Sequence, residues 1–314
     1  MSDPNLSDLG QSDTCHSDLG QTECWLSVIG IGEDGLAGLT DASRDALAQA
    51  EIVFGGRRHL ALAGIEVGKL PGIAAGKQVG GGARGQAWEV PFSLAPVLAL
   101  RGRRVAVLAS GDPFWHGAGG ALLAGQTPQA GLAPQAGQTP QAGLAPGEWR
   151  SFPAVSCFQI AANRLGWKLE DIVCLGLHAA PFTRLVPVLS RDMPVICTLR
   201  DGAAVGALAA WLCDNGFAAT TLWVMEALGG PRERMRRIRA PDFALAGVSA
   251  PVIVGLQTKA AGLARGFGLP DAMFAQDGQI TKRPIRAMTL AALAPRPGAR
   301  LWDLGAGSGS VSVE

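Results

Sequence analysis

The sequence contains no uncharged apolar run of about 18 residues, so nothing in it reads as a membrane-spanning helix. It has no CxxC spacing either. Its six cysteines, Cys15, Cys24, Cys157, Cys174, Cys197 and Cys213, are scattered singly. That pattern argues against a zinc site and a disulfide scaffold, and it fits a chain kept reduced in the cytosol. No sign of charge dominates: 27 basic residues face 26 acidic ones, for a net charge of +1. A global nucleic-acid or polyanion partner is therefore not expected. The first 24 residues lack an apolar core and carry Asp3, Asp8, Asp13, Asp18 and Glu23, so they are neither a signal peptide nor a basic transit peptide.

What is present suffices for a folded, globular chain. A chain of 314 residues allows two domains, and 48% hydrophobic content is ample for a core. Residues 1–24 repeat Ser-Asp-Leu-Gly-Gln at 7–11 and 17–21, which predicts a disordered tail. Order is expected to begin at Trp25. Leu26–Gly30 is an apolar run ending in glycines, a buried strand entering a loop. Thr40 or Asp41 caps a helix over Ala42–Ala50. Strands follow at Glu51–Phe54 and Val105–Ala109. This alternation predicts an α/β lobe over 25–124 with ligands at the carboxyl ends of its strands.

Residues 125–147 hold a tandem repeat, Gly-Gln-Thr-Pro-Gln-Ala-Gly-Leu-Ala-Pro at 125–134 and again at 137–146, and read as a linker-like loop. A second α/β lobe is expected over 148–256. Its strands are predicted at Ile172–Leu175, Val195–Leu199, Thr221–Met225 and Val252–Leu256, and its helices at Phe158–Leu165, Ala203–Asn215 and Arg232–Arg239. Residues 257–314 read as a connector and the start of another domain, with a helix over Lys282–Leu293 and a strand over Arg300–Leu304.

Two loops in the first lobe could grip a ligand. Gly30-Ile31-Gly32 follows the first strand, and Ser110-Gly111-Asp112-Pro113 follows the third, ahead of Gly117-Ala118-Gly119-Gly120. Small residues let a backbone approach a ligand closely, though glycine in such a loop also serves a plain tight turn. Asp112 can bind a ligand or cap the next helix, and Ser156 can equally bind a ligand or serve as an N-cap. His116 and His178 could accept a proton, and surface or packed histidines would look the same. On the expected helix, Arg232, Arg236 and Arg239 share a face, either solvated or able to grip carboxylates, and Arg57-Arg58 admits the same two readings. The residues themselves name no catalytic base. A nicotinamide dehydrogenase is disfavoured, because Gly35 follows Glu33-Asp34 and no acidic ribose partner stands at the expected distance after a second strand.

In order and spacing, residues 25–256 resemble the tetrapyrrole methylases that use S-adenosylmethionine. The resemblance rests on Gly30 to Thr40, the Ser110–Pro113 loop, Pro153-Ala154-Val155-Ser156-Cys157-Phe158, and Glu226-Ala227-Leu228-Gly229-Gly230. Phe54-Gly55-Gly56-Arg57-Arg58-His59-Leu60 and Glu226 to Arg232 look like the carbon-5 methylases of corrin biosynthesis. Gly278 to Arg283 and the Asp303-Leu304-Gly305-Ala306-Gly307-Ser308-Gly309-Ser310 loop look like the opening of a Rossmann-like carbon-15 methylase fused behind them.

The resemblance implies a two-lobed fold with S-adenosylmethionine in the cleft between the lobes. Gly30 and Gly32 would border the ligand, Ser110, Gly111 and Asp112 would touch its methionine or ribose part, and Trp115, Ser156, Cys157 and Leu228 would line the adenosyl site. Two positions depart from the family pattern: Glu33 replaces a common proline, and Cys157 a usual second serine. The implied reaction is methylation of carbon 5 on a precorrin-6Y-derived ring in the cytosol, after a separate carbon-15 methylase has acted. Relatives commonly pair as dimers. The Asp303–Ser310 loop lacks the rest of its sheet in this sequence, so residues 276–314 are expected to be poorly ordered or docked non-natively and to bind nothing, leaving carbon-15 methylation and decarboxylation absent. Two alternatives remain: a family relative with another acceptor, such as a different corrin carbon or an RNA ribose, and an inactive truncated relic.

Overall fold

A computed structural model describes residues 24–68, 83–89, 93–117, 119, 120, 122, 144, 145, 147–296 and 298–314. The expected tail, 1–24, lies outside these residues except for Cys24, and so does nearly all of the 125–147 repeat. The chain divides into two compact units. One comprises the chain up to Gly166 together with Met225–Met235; the other comprises Trp167–Val224 and Arg236–Glu314.

The first unit is built on β1 (Leu26–Ile31), β2 (Ile52–Gly55), β3 (Gly85–Ala87), β4 (Val105–Ser110) and β5 (Trp149–Phe152). They form one sheet in the order β3-β2-β4-β1-β5, and every adjacent pair is parallel. Parallel sheets bury both faces, and the alternation of side chains sorts the core accordingly. Val28, Ile52, Phe54, Val105 and Val107 pack on one face with Leu94 and Val97. Ile29, Ile31, Val53, Ala106 and Leu108 pack on the other with Leu47 and Leu60. Leu47 belongs to α1 (Asp41–Gln49), Leu60 to α2 (Arg57–Leu62) and Val97 to α3 (Ala95–Leu98). Thr40 caps α1, its hydroxyl accepting the Ser43 N–H at 3.2 Å. Further along, α4 (Cys157–Leu165) begins with a reciprocal cap and ends at Gly166 in the left-handed conformation (φ 64°), which glycine adopts without strain.

The strand order sets where a ligand can sit. From β1 the chain crosses to β2 on one side, and from β4 it leads to β5 on the other, so the adjacent strands β1 and β4 send their exits in opposite directions. In an open parallel sheet that switch point, outside the carboxyl ends, is the usual binding crevice. Its two bordering loops are 32–35 and 110–113.

The second unit holds β6 (Val173–Gly176), β7 (Pro194–Leu199), β8 (Thr220–Glu226), β9 (Arg234–Arg239) and β10 (Val252–Thr258), in the order β6-β7-β10-β8-β9. Here β6 and β7 are parallel and β10 runs antiparallel to β7. The final residues of β8, Met225 and Glu226, and the first two of β9 belong to the first unit. The core of the second unit centres on α5 (Ala203–Asp214), through Val205, Leu208 and Leu212.

Two sequence expectations are corrected. Residues 234–239, read as part of a helix, are strand β9. Ile238 packs toward the core while Arg237 and Arg239 stay exposed, a strand alternation on the last strand of the sheet, where charge discourages further pairing. The shared helical face of Arg232, Arg236 and Arg239 therefore does not exist. Residues 300–304, read as a strand, are not one. An isolated strand has no neighbour for its backbone groups, and this stretch leads instead into turns at Gly305, Gly307 and Gly309, all with positive φ, and a short helix, α7 (Ser310–Val313). Before it, α6 (Arg283–Leu293) carries the fully buried Arg286. That guanidinium pairs with Glu314 and Asp271, bonds the Leu269 and Thr281 carbonyls, and lies over the Phe274 ring.

Candidate functional site

Gly30 and the Ser110–Pro113 loop are stitched together by backbone. The Gly111 N–H donates to the Ile31 carbonyl, and the Gly111 carbonyl accepts from Ala154 N–H, both at 3.2 Å. A Cβ on residue 30 would lie 1.8 Å from the Gly111 oxygen and 2.6 Å from Ala154 N. Gly111 has φ 56°, and a Cβ there would meet the Ser156 Cα at 2.8 Å. Both glycines are thus required by close backbone approach inside the protein. A Cβ on Gly32 would meet only the Asp34 side chain.

The predicted site residues fall in one unit. Gly30, Gly32, Ser110, Gly111, Asp112, Trp115, Ser156, Cys157 and Leu228 all belong to the first. Ser110 is exposed at the end of β4. Asp112 accepts the Phe114 N–H at 2.8 Å through Oδ1, which shapes the turn. Trp115 stacks on Phe158 of α4, with ring centroids 5.0 Å apart. Ser156 is buried, and both of its roles are local: its hydroxyl accepts the Gln159 N–H at 3.4 Å while its own N–H donates to Gln159 Oε1 at 2.8 Å. Burial pushes the Cys157 thiol above its ordinary pKa, against the opposing effects of nearby backbone N–H groups and Arg58. Leu228 is buried in the segment after β8.

That segment is held down by charge. Glu233 receives Arg164 of α4 in a two-pronged pair, at 2.5 and 3.1 Å, and also accepts the Gly229 N–H at 2.7 Å. Arg232 reaches Glu33 Oε2 at 3.3 Å, and a Cβ on Gly230 would lie 2.6 Å from that of Glu33. Arg234 grips the buried Glu226 at 2.9 and 2.7 Å.

Sequence reasoning missed the residue at the centre of this arrangement. Glu33 is only 9% exposed, and its other oxygen pairs with Arg58 Nη1. A carboxylate beside the first glycine loop, with an Arg-Arg turn elsewhere in the same lobe, was the available signal: buried carboxylates need partners. Arg58 also places Nη2 2.8 Å from both Ser110 Oγ and His59 Nε2, and these last two atoms are 2.8 Å apart. Burial, with the charge of Arg58 second, lowers the His59 pKa to about 4. Its Nδ1 is enclosed and has no hydrogen-bond partner. His116 is exposed close to Phe158, while His178 lies exposed in the second unit. A separate cavity of about 370 Å³ opens at the opposite, amino-terminal end of the sheet, lined by Cys24, Ser27, Asp45, Arg104 and Arg150 among others.

An open parallel sheet whose switch point is bordered by two glycine loops is the architecture of α/β proteins that bind ligands at the carboxyl ends of their strands. Comparison with known proteins carries this further: residues 26–244 match the tetrapyrrole (corrin/porphyrin) methylases, and the chain belongs to that family. Residues 272–314 match the precorrin methyltransferase domain. A precorrin-6Y C(5,15)-methyltransferase (decarboxylating) of a Sinorhizobium species is 39% identical over 309 residues, 96% of this chain and 67% of that protein. The protein of the same name from Mycobacterium tuberculosis is 35% identical over 295 residues, 91% of this chain and 65% of that one. The chain thus spans about two thirds of the length of these curated relatives. Among solved structures, the methyltransferase CobJ aligns with a TM-score of 0.53 at 19% identity, covering 75% of this chain and 95% of that one, a likeness of fold. Among the described residues no helix is long and apolar enough to cross a membrane.

Proposed function

We propose that this chain transfers a methyl group from S-adenosylmethionine to carbon 5 of a corrin ring derived from precorrin-6Y. The observation that carries this is the convergence of the 32–35 loop, the Ser110–Asp112 loop, the start of α4 and the Leu228 segment at one end of one parallel sheet, in a chain of the tetrapyrrole methylase family. The residues fit an adenosyl ligand in kind. Ser110 and Asp112 offer polar groups for its methionine or ribose part, while Trp115, Cys157 and Leu228 offer apolar surface. Gly30 and Gly32 border the site through backbone, and Ser156 shapes it through the cap it makes.

When bound, the cosubstrate supplies a methyl on a sulfonium, a good leaving group, so the protein need only align the acceptor and exclude water. The partner is a corrinoid small molecule. The reading carries with it a cytosolic setting, a homodimer as in relatives, and a separate carbon-15 methylase acting beforehand. Cys157, Cys197 and Cys213, which form no disulfide among the described residues, are in keeping with a reducing compartment.

The test is mass spectrometry of the corrinoid after incubation with S-adenosylmethionine. Precorrin-6Y is supplied in one tube and its decarboxylated, carbon-15-methylated product in the other. Gain of one methyl in the second tube supports the proposal. Binding of S-adenosylmethionine without methyl gain points to another acceptor, and no binding at all sinks the reading of the site.

A further inference from the structure

The hydrogen-bond inventory around Ser110 has one consistent solution. Arginine only donates, so the contact of Arg58 Nη2 with His59 Nε2 makes that ring nitrogen an acceptor. The imidazole proton then sits on Nδ1, the atom enclosed without a partner. Nε2 has a single lone pair, and Arg58 already supplies it a hydrogen. The other contact of Nη2 delivers a hydrogen to Ser110 Oγ. The Ser110 hydroxyl therefore accepts from the guanidinium and keeps its own proton to give. Toward His59 that proton would have to share a lone pair already engaged; Ser110 is otherwise exposed at the end of β4.

We propose that Arg58 and His59 orient the Ser110 hydroxyl as a hydrogen-bond donor to an acceptor oxygen of the adenosyl ligand, and that Glu33 is the positioning residue that holds Arg58 in place. Glu33 suits this role because both of its oxygens are committed, one to Arg58 and the other to Arg232, and its side chain is buried. A guanidinium free to swing would lose the fork that serves Ser110 and His59 together; one fixed at Nη1 keeps Nη2 aimed. The inference rests on the adenosyl-site reading above.

The experiment is a double-mutant cycle read by calorimetric titration of the full chain with S-adenosylhomocysteine. Ser110→Ala and Glu33→Gln should each weaken binding about tenfold, in line with loss of one charge-assisted hydrogen bond. If Glu33 acts through Ser110, the double variant should also be about tenfold weaker, because coupled residues are not additive. His59→Ala should resemble Ser110→Ala, and His59→Gln, which keeps an acceptor near the Nε2 position, should recover part of the affinity that His59→Ala loses. Should Glu33→Gln not fold, Arg58→Lys takes its place in the cycle, since one ammonium cannot serve Glu33, Ser110 and His59 at once. A double variant about a hundredfold weaker, or a Glu33→Gln protein with full affinity, overturns the inference. Failure of the unaltered chain to bind S-adenosylhomocysteine overturns instead the site reading beneath it.

Discussion

The Gly111 carbonyl oxygen occupies space that a side chain on Gly30 would need, 1.8 Å from where its Cβ would stand. The contact fastens the ends of β1 and β4, the two strands that border the switch point, and the obstacle is backbone rather than a flexible side chain. Gly30→Ala must therefore move one of the two loops. Overpacking a tight site costs about 1–3 kcal/mol, so the melting temperature should drop by several degrees, and affinity for S-adenosylhomocysteine should fall with it. Gly32→Ala makes a sharp control, since its Cβ meets only the movable Asp34 side chain. A Gly30→Ala protein with unchanged melting would show that the loops are slack.

Glu33 and its two arginines should respond unequally to deletion. Removing the carboxylate strands Arg58, which is partly enclosed and bonded to His59 and Ser110. Breaking a buried pair in this way costs about 3 kcal/mol, so Glu33→Ala should unfold at clearly lower urea. Arg232 is more exposed and contacts Glu33 once, at 3.3 Å. Arg232→Ala should cost less than about 1 kcal/mol, as exposed pairs do. Equal midpoints for the two variants would contradict the burial argument.

The sequence made most of this scaffold legible through short apolar runs bounded by glycine. Strands β1, β2, β4, β6, β7, β8 and β10 lie within two residues of where those runs predict them. Three strands escaped. β3 has three residues, Gly85–Ala87, too few for a period; β5 mixes Arg150 and Ser151 between aromatics; and β9 spaces its arginines as a helix might. The loops of the site were found from composition, but the reason for their glycines was not, because the pressure on Gly30 comes from Gly111 and Ala154, 81 and 124 positions away in the chain. The Glu33–Arg58–Ser110 chain was invisible for the same reason: it joins the ends of three strands that only the fold makes neighbours.

Ser156 can be assigned by its stability effect. Its hydroxyl and N–H are both engaged by Gln159 at the start of α4. Loss of such a cap costs about 1 kcal/mol. Ser156→Ala should show that loss in urea unfolding, and Gln159→Ala should lose part of it, with the double variant no worse than Ser156→Ala by more than a few tenths of a kcal/mol. Ser156→Ala with undiminished stability would return the residue to a ligand-binding role.

His59 makes the fold sensitive to mild acid in a window where it stands apart. In the folded chain it titrates at about 4 against an ordinary 6.5. Above 6.5 both folded and unfolded chains carry it neutral and it contributes nothing to the pH dependence. As the pH falls below that value the unfolded chain takes up a proton that the folded chain refuses, so stability declines. By pH 5 the loss attributable to this one ring should reach about 2 kcal/mol. Glu233 and Glu51 are held below the ordinary carboxylate value of 4.5 by Arg164 and Arg103, so they stabilise the fold above that value and are lost only at lower pH. Urea midpoints taken at pH 7, 6 and 5 should therefore fall more steeply for the unaltered protein than for His59→Gln. Parallel declines would mean that His59 titrates alike in both states and is not the enclosed, neutral acceptor that Arg58 requires.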